Sequence, residues 1–278
     1  MINSAMQLKA KVRNVSHGDS RVAATLIRTF FMERFLERVA VSKYKNNFIL
    51  KGGMLISSLL GVKNRATMDI DTTVVHLPLT KENVEKIITE ISDIRLDDNI
   101  IFKSACSEVI MDDFDYPGIR VHMNGFLENL RQPIKIDIST DDVITPGAVE
   151  YELPLTFEDR FVSLKTYNIE TLLAEKVQTI IERSVANTRM RDFYDIYEVV
   201  KTKSFSPEIF KKAFRTTCKK RGTEYTSDKI KAELNNIAYN NDLEKLWNDF
   251  CRKNFFVDNM NFAEVLQVLN LLILNIIE

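Results

Sequence analysis

Two aspartates, Asp69 and Asp71, close the stretch Arg-Ala-Thr-Met-Asp-Ile-Asp at residues 65–71, after a glycine pair at Gly52 and Gly53 and before an apolar run. On a strand, residues i and i+2 point to the same face roughly 7 Å apart, so the two carboxylates aim together. Like charges so placed repel unless water surrounds them or a cation lies between them. Magnesium, a hard divalent cation, takes carboxylate oxygens and keeps positions open for substrate phosphates. A third acid would let two ions bind roughly 4 Å apart, the arrangement used for in-line phosphoryl transfer. The stretch Ile-Lys-Ile-Asp-Ile-Ser offers one: Ile134, Ile136 and Ile138 face one way, and Lys135, Asp137 and Ser139 the other. A charge in mid-strand is costly if buried without a partner, so Asp137 faces solvent or has one. On spacing alone both readings, solvated strand ends or metal ligands, stay open.

Other residues could serve a phosphate. A glycine turn feeding a helix N-terminus is an anion site, and Lys51 directly precedes Gly52 and Gly53. Arg65 and Thr67 flank the acids; Arg65 either meets a phosphate or pairs with Asp69 or Asp71. Lys176 sits at the edge of the apolar face of a helix expected over 168–184, with Arg183 two turns on. It either snorkels to solvent or meets a phosphate as a point charge. The stretch 187–195 carries Arg189, Arg191, Asp192 and Asp195; Arg183 and Arg191 join the candidates for substrate contact. Asp192 suits the first turn of a helix. Asp195, one turn further, is assigned to orienting Lys176 or a substrate group. His17, His76 and His122 do not cluster, and neither a Gly-x-Ser-x-Gly elbow nor a Walker loop is present. The basic run at 212–222 is a solvated helix face or a contact to RNA phosphate.

The elements that must position these groups follow from period. Residues 19–41 repeat their apolar positions as a helix does, and 48–50 is a short strand entering the glycine turn. A helix closed by Gly61 follows, then a β-branched strand from Ile70, then a helix over 81–91 with Thr80 as N-cap. From about 100 to 166 short β-rich runs are separated by Pro, Gly and Asp; from 168 onward the pattern is helix after helix, with polar joints near 187–190, 203–207, 221–227 and 239–242. The expected class is α+β, with a mixed sheet and its helices over 1–166 and a helical domain over 167–278. A length of 278 residues allows two such parts, and the scarcity of Gly (8) and Pro (6) favours helices with short joints.

A net charge of −1 sets no global field toward nucleic acid or membrane, though a local basic patch remains open. Cys106, Cys218 and Cys251 have no zinc spacing and read as free thiols of a reducing, cytoplasmic compartment. No signal peptide is visible. The apolar end, 265–277, is too short for a bilayer and is broken by Asn270 and Asn275, so it reads as a packed C-terminal helix and no membrane is expected.

Taken in order, the segments 50–74, 134–139 and 171–197 resemble the AbiEii/AbiGii toxin family, nucleotidyltransferase-like proteins of bacterial abortive-infection and type IV toxin–antitoxin systems. The resemblance runs from about residue 5 to about residue 200 and rests on Gly-Gly, Arg-x-Thr-x-Asp-x-Asp, the isolated Asp strand, Ala-Glu-Lys and Arg-Asp-x-x-Asp. It implies a polymerase-β-like nucleotidyltransferase core and a helical C-terminal domain that closes the cleft. Gly52 and Gly53 would hold a nucleoside triphosphate through backbone N–H groups. Asp69 and Asp71 would bind magnesium, two ions in all with Asp137, which would also activate the attacking hydroxyl. Lys176 and Asp195 are the family's further functional residues. The spacer from Gly53 to Asp69 is longer than in the wider polymerase-β-like pattern, and an intervening helix accounts for it. The implied activity is nucleotidyl transfer to RNA, tRNA among the acceptors, causing growth arrest in phage defence, with a cognate antitoxin encoded alongside. Two alternatives stand beside it: a small-molecule, antibiotic-type nucleotidyltransferase, which calls for an acidic or aromatic acceptor pocket instead of a basic track, and a non-catalytic nucleotide-binding module.

Overall fold

The structure, a computed structural model, describes residues 1–278 apart from 112–116, 224, 258–259 and 278. The chain divides into two units, Met1–Asp142 with Val149–Thr166, and Val143–Ala148 with Tyr167–Glu278.

In the first unit the β-rich segments become strands, and the central ones carry an apolar face. They are β1 (Phe48–Lys51), β2 (Ile70–Val74), β3 (Ile101–Met111), β4 (Pro117–Leu127), β5 (Leu130–Thr140), β6 (Val149–Pro154) and β7 (Phe161–Thr166). Among the described residues these seven form one mixed sheet in the order β3-β4-β5-β2-β1-β7-β6. β2 runs parallel to β5 and β1 to β7; the other neighbours are antiparallel. Ile134, Ile136 and Ile138 of β5 and Ile119, Val121 and Met123 of β4 are buried, which leaves Lys135, Asp137, Arg120 and His122 on the opposite face.

The buried face packs on α2 (Ser20–Val41), whose Phe30, Phe31, Phe35 and Val39 are all within the core. Phe35 meets Phe102 edge to face at 5.6 Å. Phe31 comes so close to β4 that a Cβ on Gly125 would lie 2.3 Å from its ring, so only glycine fits there. Arg38 is fully buried on the same helix, paired with both oxygens of Asp98 at 2.8 Å and donating to the carbonyls of Arg34, Ile94 and Ile100. That set of partners satisfies a charge that would otherwise be prohibitive to bury. α1 (Ala5–Ser16), α3 (Gly52–Leu60) and α4 (Lys81–Ser92) complete the unit, and Thr80 Oγ1 caps α4 by accepting from Asn83 N.

The second unit is helical: α5 (Ile169–Arg183), a 3-10 turn at Ser184–Ala186, α6 (Met190–Thr202), α7 (Pro207–Lys220), α8 (Ser227–Ala238), α9 (Asn241–Lys253) and α10 (Phe262–Ile277). Asn168, Ser206, Thr226 and Asn240 cap α5, α7, α8 and α9 through their side chains. The Val143–Ala148 segment is tied to α5, since Asn168 and Thr171 donate to the Thr145 carbonyl. The apolar C-terminal stretch is a packed helix with Val265, Leu269, Leu272 and Ile273 buried. Among the described residues no helix is long and apolar enough to cross a membrane.

Three elements escape the sequence pattern. β3 carries Lys103, Ser104, Cys106, Ser107 and Glu108 in its middle, and a register shift between Ser104 and Cys106 breaks its alternation. β6 is a short edge strand with Glu150 and Glu152. α1 buries only Ala5, Leu8, Val12 and Ser16, too few to announce an apolar stripe.

Candidate active site

A single cross-strand row assembles two of the three acids, Asp71 and Asp137; Asp69 falls in the bend before β2 and does not share the strand with Asp71 as expected. Lys51 of β1 lies opposite Asp71 of β2, Asp71 opposite Asp137 of β5, Asp137 opposite Arg120 of β4, and Arg120 opposite Glu108 of β3. Residues in register on neighbouring strands share a face, with strands under about 5 Å apart. Two carboxylates therefore stand side by side in mid-row, with a cation beyond each. Asp69, two residues before Asp71, approaches Lys135 at 3.9 Å.

The cations are spent unevenly. Arg120 takes Asp137 through both oxygens, Nε to Oδ1 at 2.8 Å and Nη2 to Oδ2 at 2.7 Å. Lys51 turns its ammonium to Asp142 at 2.5 Å, and Ser139 Oγ donates to the same carboxylate oxygen at 2.7 Å. Asp71 accepts the Gly53 N–H at 2.9 Å. Burial, and then the charge of Asp69, push its carboxyl up to about 6; Asp137 adds to the rise, while the Gly53 N–H and Lys51 oppose it.

The glycine pair has a steric reason. Gly52 has φ +58°, and a Cβ there would lie 2.2 Å from Asp71 Oδ2; a Cβ on Gly53 would lie 2.6 Å from Thr67 Oγ1. The pair opens α3 as expected of a helix N-terminus, and in this structure the Gly53 amide is donated to Asp71. Arg65 is buried beneath the turn: its Nη1 donates to the Ala66 carbonyl at 2.5 Å, and Ser57 Oγ donates to the Arg65 carbonyl. Thr67 Oγ1 donates to the Asp69 carbonyl at 3.3 Å, so Arg65 and Thr67 shape the loop that delivers the acids. α3 fills the long spacer between Gly53 and Asp69.

Three carboxylates, one of them desolvated and crowded by the others, are a donor set whose chemistry suits a hard divalent cation. Their side chains do not close into a cage as they stand: among the described residues no group of three or more His, Cys, Asp or Glu could hold a metal ion. Of the three, Asp137 has both oxygens engaged by Arg120. A cavity of about 320 Å³ opens elsewhere in the unit, lined by Leu26, Thr29, Glu33, Met54, Ser57 and Leu155 among others, and none of the three acids lines it.

The second unit holds a cluster of its own. Lys176 of α5 reaches Asp192 at 2.5 Å and Asp195 at 2.9 Å, both on α6, and Arg189 pairs with Asp192 at 3.1 Å. The ammonium does not snorkel outward; it is clamped, with Asp195 fully buried. Asp192 sits in the first turn of α6 and uses its carboxylate on Lys176 and Arg189. Arg183 ends α5 and Arg191 is the second residue of α6, both half-buried. Sequence reasoning missed Arg120, Asp142 and the part of Asp192 in this cluster. Ile119-Arg120-Val121 alternation does put Arg120 on a polar face, but nothing in it names Asp137 as the partner.

The same architecture recurs among solved structures. MenT4, a nucleotidyltransferase toxin from Mycobacterium tuberculosis H37Rv, superposes with a TM-score of 0.55 at 14% identity, covering 95% of this chain and 98% of that one. A candidate nucleotidyltransferase from H. pylori gives a TM-score of 0.53 at 14% identity, covering 91% of this chain and 94% of that one. At such identity the likeness is one of fold, and the fold is that of a nucleotidyltransferase. The family model for the nucleotidyl transferase AbiEii toxin of type IV toxin–antitoxin systems matches residues 34–268. The chain belongs to that AbiEii toxin family. No curated protein matches it.

Proposed function

We propose that the protein transfers a nucleotide from a magnesium-bound nucleoside triphosphate to a hydroxyl of RNA, tRNA among the acceptors, and that growth arrest follows unless a cognate antitoxin intervenes. The observation that carries this reading is the pairing of Asp71 with Asp137 in one row, with Asp69 close enough to press on the Asp71 carboxyl. Asp69, Asp71 and Asp137 would hold the magnesium, as two ions. When bound, the ions neutralise charge on the transferring phosphoryl group. Once Asp71 turns from the Gly53 N–H and Lys51 from Asp142, the N-terminus of α3 at Gly52 and Gly53, with Lys51 beside it, would offer positive potential to the phosphates. Asp137 accepts a hydrogen bond from the attacking hydroxyl once Arg120 yields one of its oxygens. The acceptor oxygen would then bond to the α-phosphorus as its proton passes to Asp137, and the bond to the bridging oxygen breaks so that pyrophosphate leaves. Lys176 serves as a phosphate-binding cation oriented by Asp195.

The test is incubation with each labelled nucleoside triphosphate, magnesium and total RNA. Label on RNA is expected. Label only on small molecules would support the antibiotic-type alternative, and nucleotide bound without transfer the non-catalytic one. Asp69→Asn, Asp71→Asn and Asp137→Asn should each lower transfer by roughly 10²–10³-fold, the scale of losing one preorganised electrostatic contact.

A further inference from the structure

The face of β3, β4 and β5 opposite the core is charged and open. Cross-strand register places Lys103, His122, Asn124, Phe126, Arg131 and Lys135 together on it, continuous with Asp137. Lys103 and Arg131 are exposed; His122, Asn124, Phe126 and Lys135 are half-exposed. On this face His122 takes Glu108 at 2.9 Å and Arg120 takes Asp137, so both of its strand carboxylates are already matched. Lys135 leans toward Asp69 at the acid end. Among the described residues, neither Lys103 nor Arg131 pairs with a carboxylate. Lys103 lies over the Phe126 ring at 5.8 Å, and Arg131 Nε donates to Asn124 Oδ1 at 2.9 Å, which holds an aromatic and an amide between two cations. Glu128, at the turn of this hairpin, is drawn to the Ala5 amide. In a chain of net charge −1, this is a local cationic excess beside an acid cluster.

Cations interleaved with an aromatic ring on an open strand face are the recognition chemistry of single-stranded nucleic acid: charges track the phosphates and the ring accepts a base by stacking. The strip from Asp137 to Arg131 spans six residues of β5, on the order of 20 Å, which is room for a few nucleotides leading to the acids. We infer that this face of β3, β4 and β5 is the acceptor platform, binding a single-stranded RNA segment and leading its hydroxyl end to Asp137. The inference rests on the proposed transfer to RNA, and names where that RNA lies. A small-molecule acceptor calls for an acidic or aromatic pocket; the strip beside Asp137 is instead basic.

The test uses the full-length chain, a fluorescently labelled single-stranded RNA oligomer, and anisotropy without magnesium, so that binding is read apart from turnover. Lys103→Glu/Arg131→Glu should weaken RNA binding at least tenfold and reduce the log-log salt slope by about 1.4, since each lost single-strand phosphate contact removes about 0.7. Phe126→Ala should weaken it about tenfold with the salt slope unchanged, a split that a merely structural role would not produce. In the transfer assay the charge-reversed pair should raise KM for RNA and leave kcat within about twofold. Lys9→Glu/Arg13→Glu on α1 makes the same change in net charge on exposed positions and should leave RNA affinity near that of the native chain. Equal losses from the two pairs, or none from the platform pair, would overturn the inference while leaving RNA transfer by the native chain intact. RNA bound through the platform but never labelled would uphold the inference and remove the proposed reaction.

Discussion

The two units each hold a charged cluster, and the clusters are built on opposite principles. In the helical unit, Lys176 and Arg189 stand against Asp192 and Asp195, so opposite charges meet directly and the ammonium is held by carboxylates at 2.5 and 2.9 Å. In the sheet unit, Asp69, Asp71 and Asp137 crowd one another, and Asp71 is pushed up to about 6. A cluster in which opposite charges meet fixes the geometry of its own side chains. An unbalanced one is costly until a cation from outside joins it, and that cost is what a binding site for a cation looks like before binding.

The comparison breaks most readily at Asp195. Asp195→Ala leaves Lys176 short of a partner inside the helical unit and should cost roughly 3–5 kcal/mol, the scale for removing one member of a buried pair. Urea unfolding measures it, and a loss under about 1 kcal/mol would mean that the cluster is not a structural clamp. Nucleotide binding by Asp195→Asn, which keeps the volume, separates a role in the site from one in the fold; unchanged binding and activity remove Asp195 from the site.

In the sheet unit the sign should reverse. Asp71→Asn removes a buried, crowded carboxylate and should stabilise the metal-free chain at pH 8 by up to about 3 kcal/mol, the energy of a pKa rise of about two units. Destabilisation instead would show that the three acids are already compensated.

Two glycines of that unit, Gly52 beside the acids and Gly125 in the core, should respond differently. Gly52→Ala forces a side chain into φ +58° and against Asp71, and should cost about 1–2 kcal/mol and abolish any rise in Tm produced by magnesium. Gly125→Ala meets Phe31 in the core and should cost about 1–3 kcal/mol by overpacking, with the magnesium response kept.

The smallest effect is one of pH. Asp71 has a folded value near 6, above the ordinary 3.8. Its favourable contribution to metal-free stability is complete below the ordinary value and is lost as pH rises through 6. Magnesium requires the ionised form, so its effect on Tm should run the other way, present at pH 8 and gone at pH 5. Equal shifts at both pH values would place the ion elsewhere.

Much of this was legible in the residues. The strand–glycine–helix entry at 48–60, the strand from Ile70, the Thr80 cap and the isolated acid strand all appear where period and turn chemistry put them. What stayed hidden were elements with little buried surface, α1, β3 and β6, and every partnership across strands or helices. Arg120 and Asp137 lie 17 residues apart in sequence and meet through both guanidinium nitrogens, yet period says only which face each occupies.

The residue order alone determined which side chains share a strand face or a helix face, because those periods are local properties of the backbone. It also determined that glycine stands at 52 and 53, where Asp71 and Thr67 come too close for any Cβ. Tertiary structure decided the register that sets Lys51, Asp71, Asp137 and Arg120 in one row, and the pairing of α5 with α6 that closes two carboxylates on Lys176. Register is a long-range choice: sliding a strand by one residue turns every side chain to the other face, and only the packed core selects the alignment.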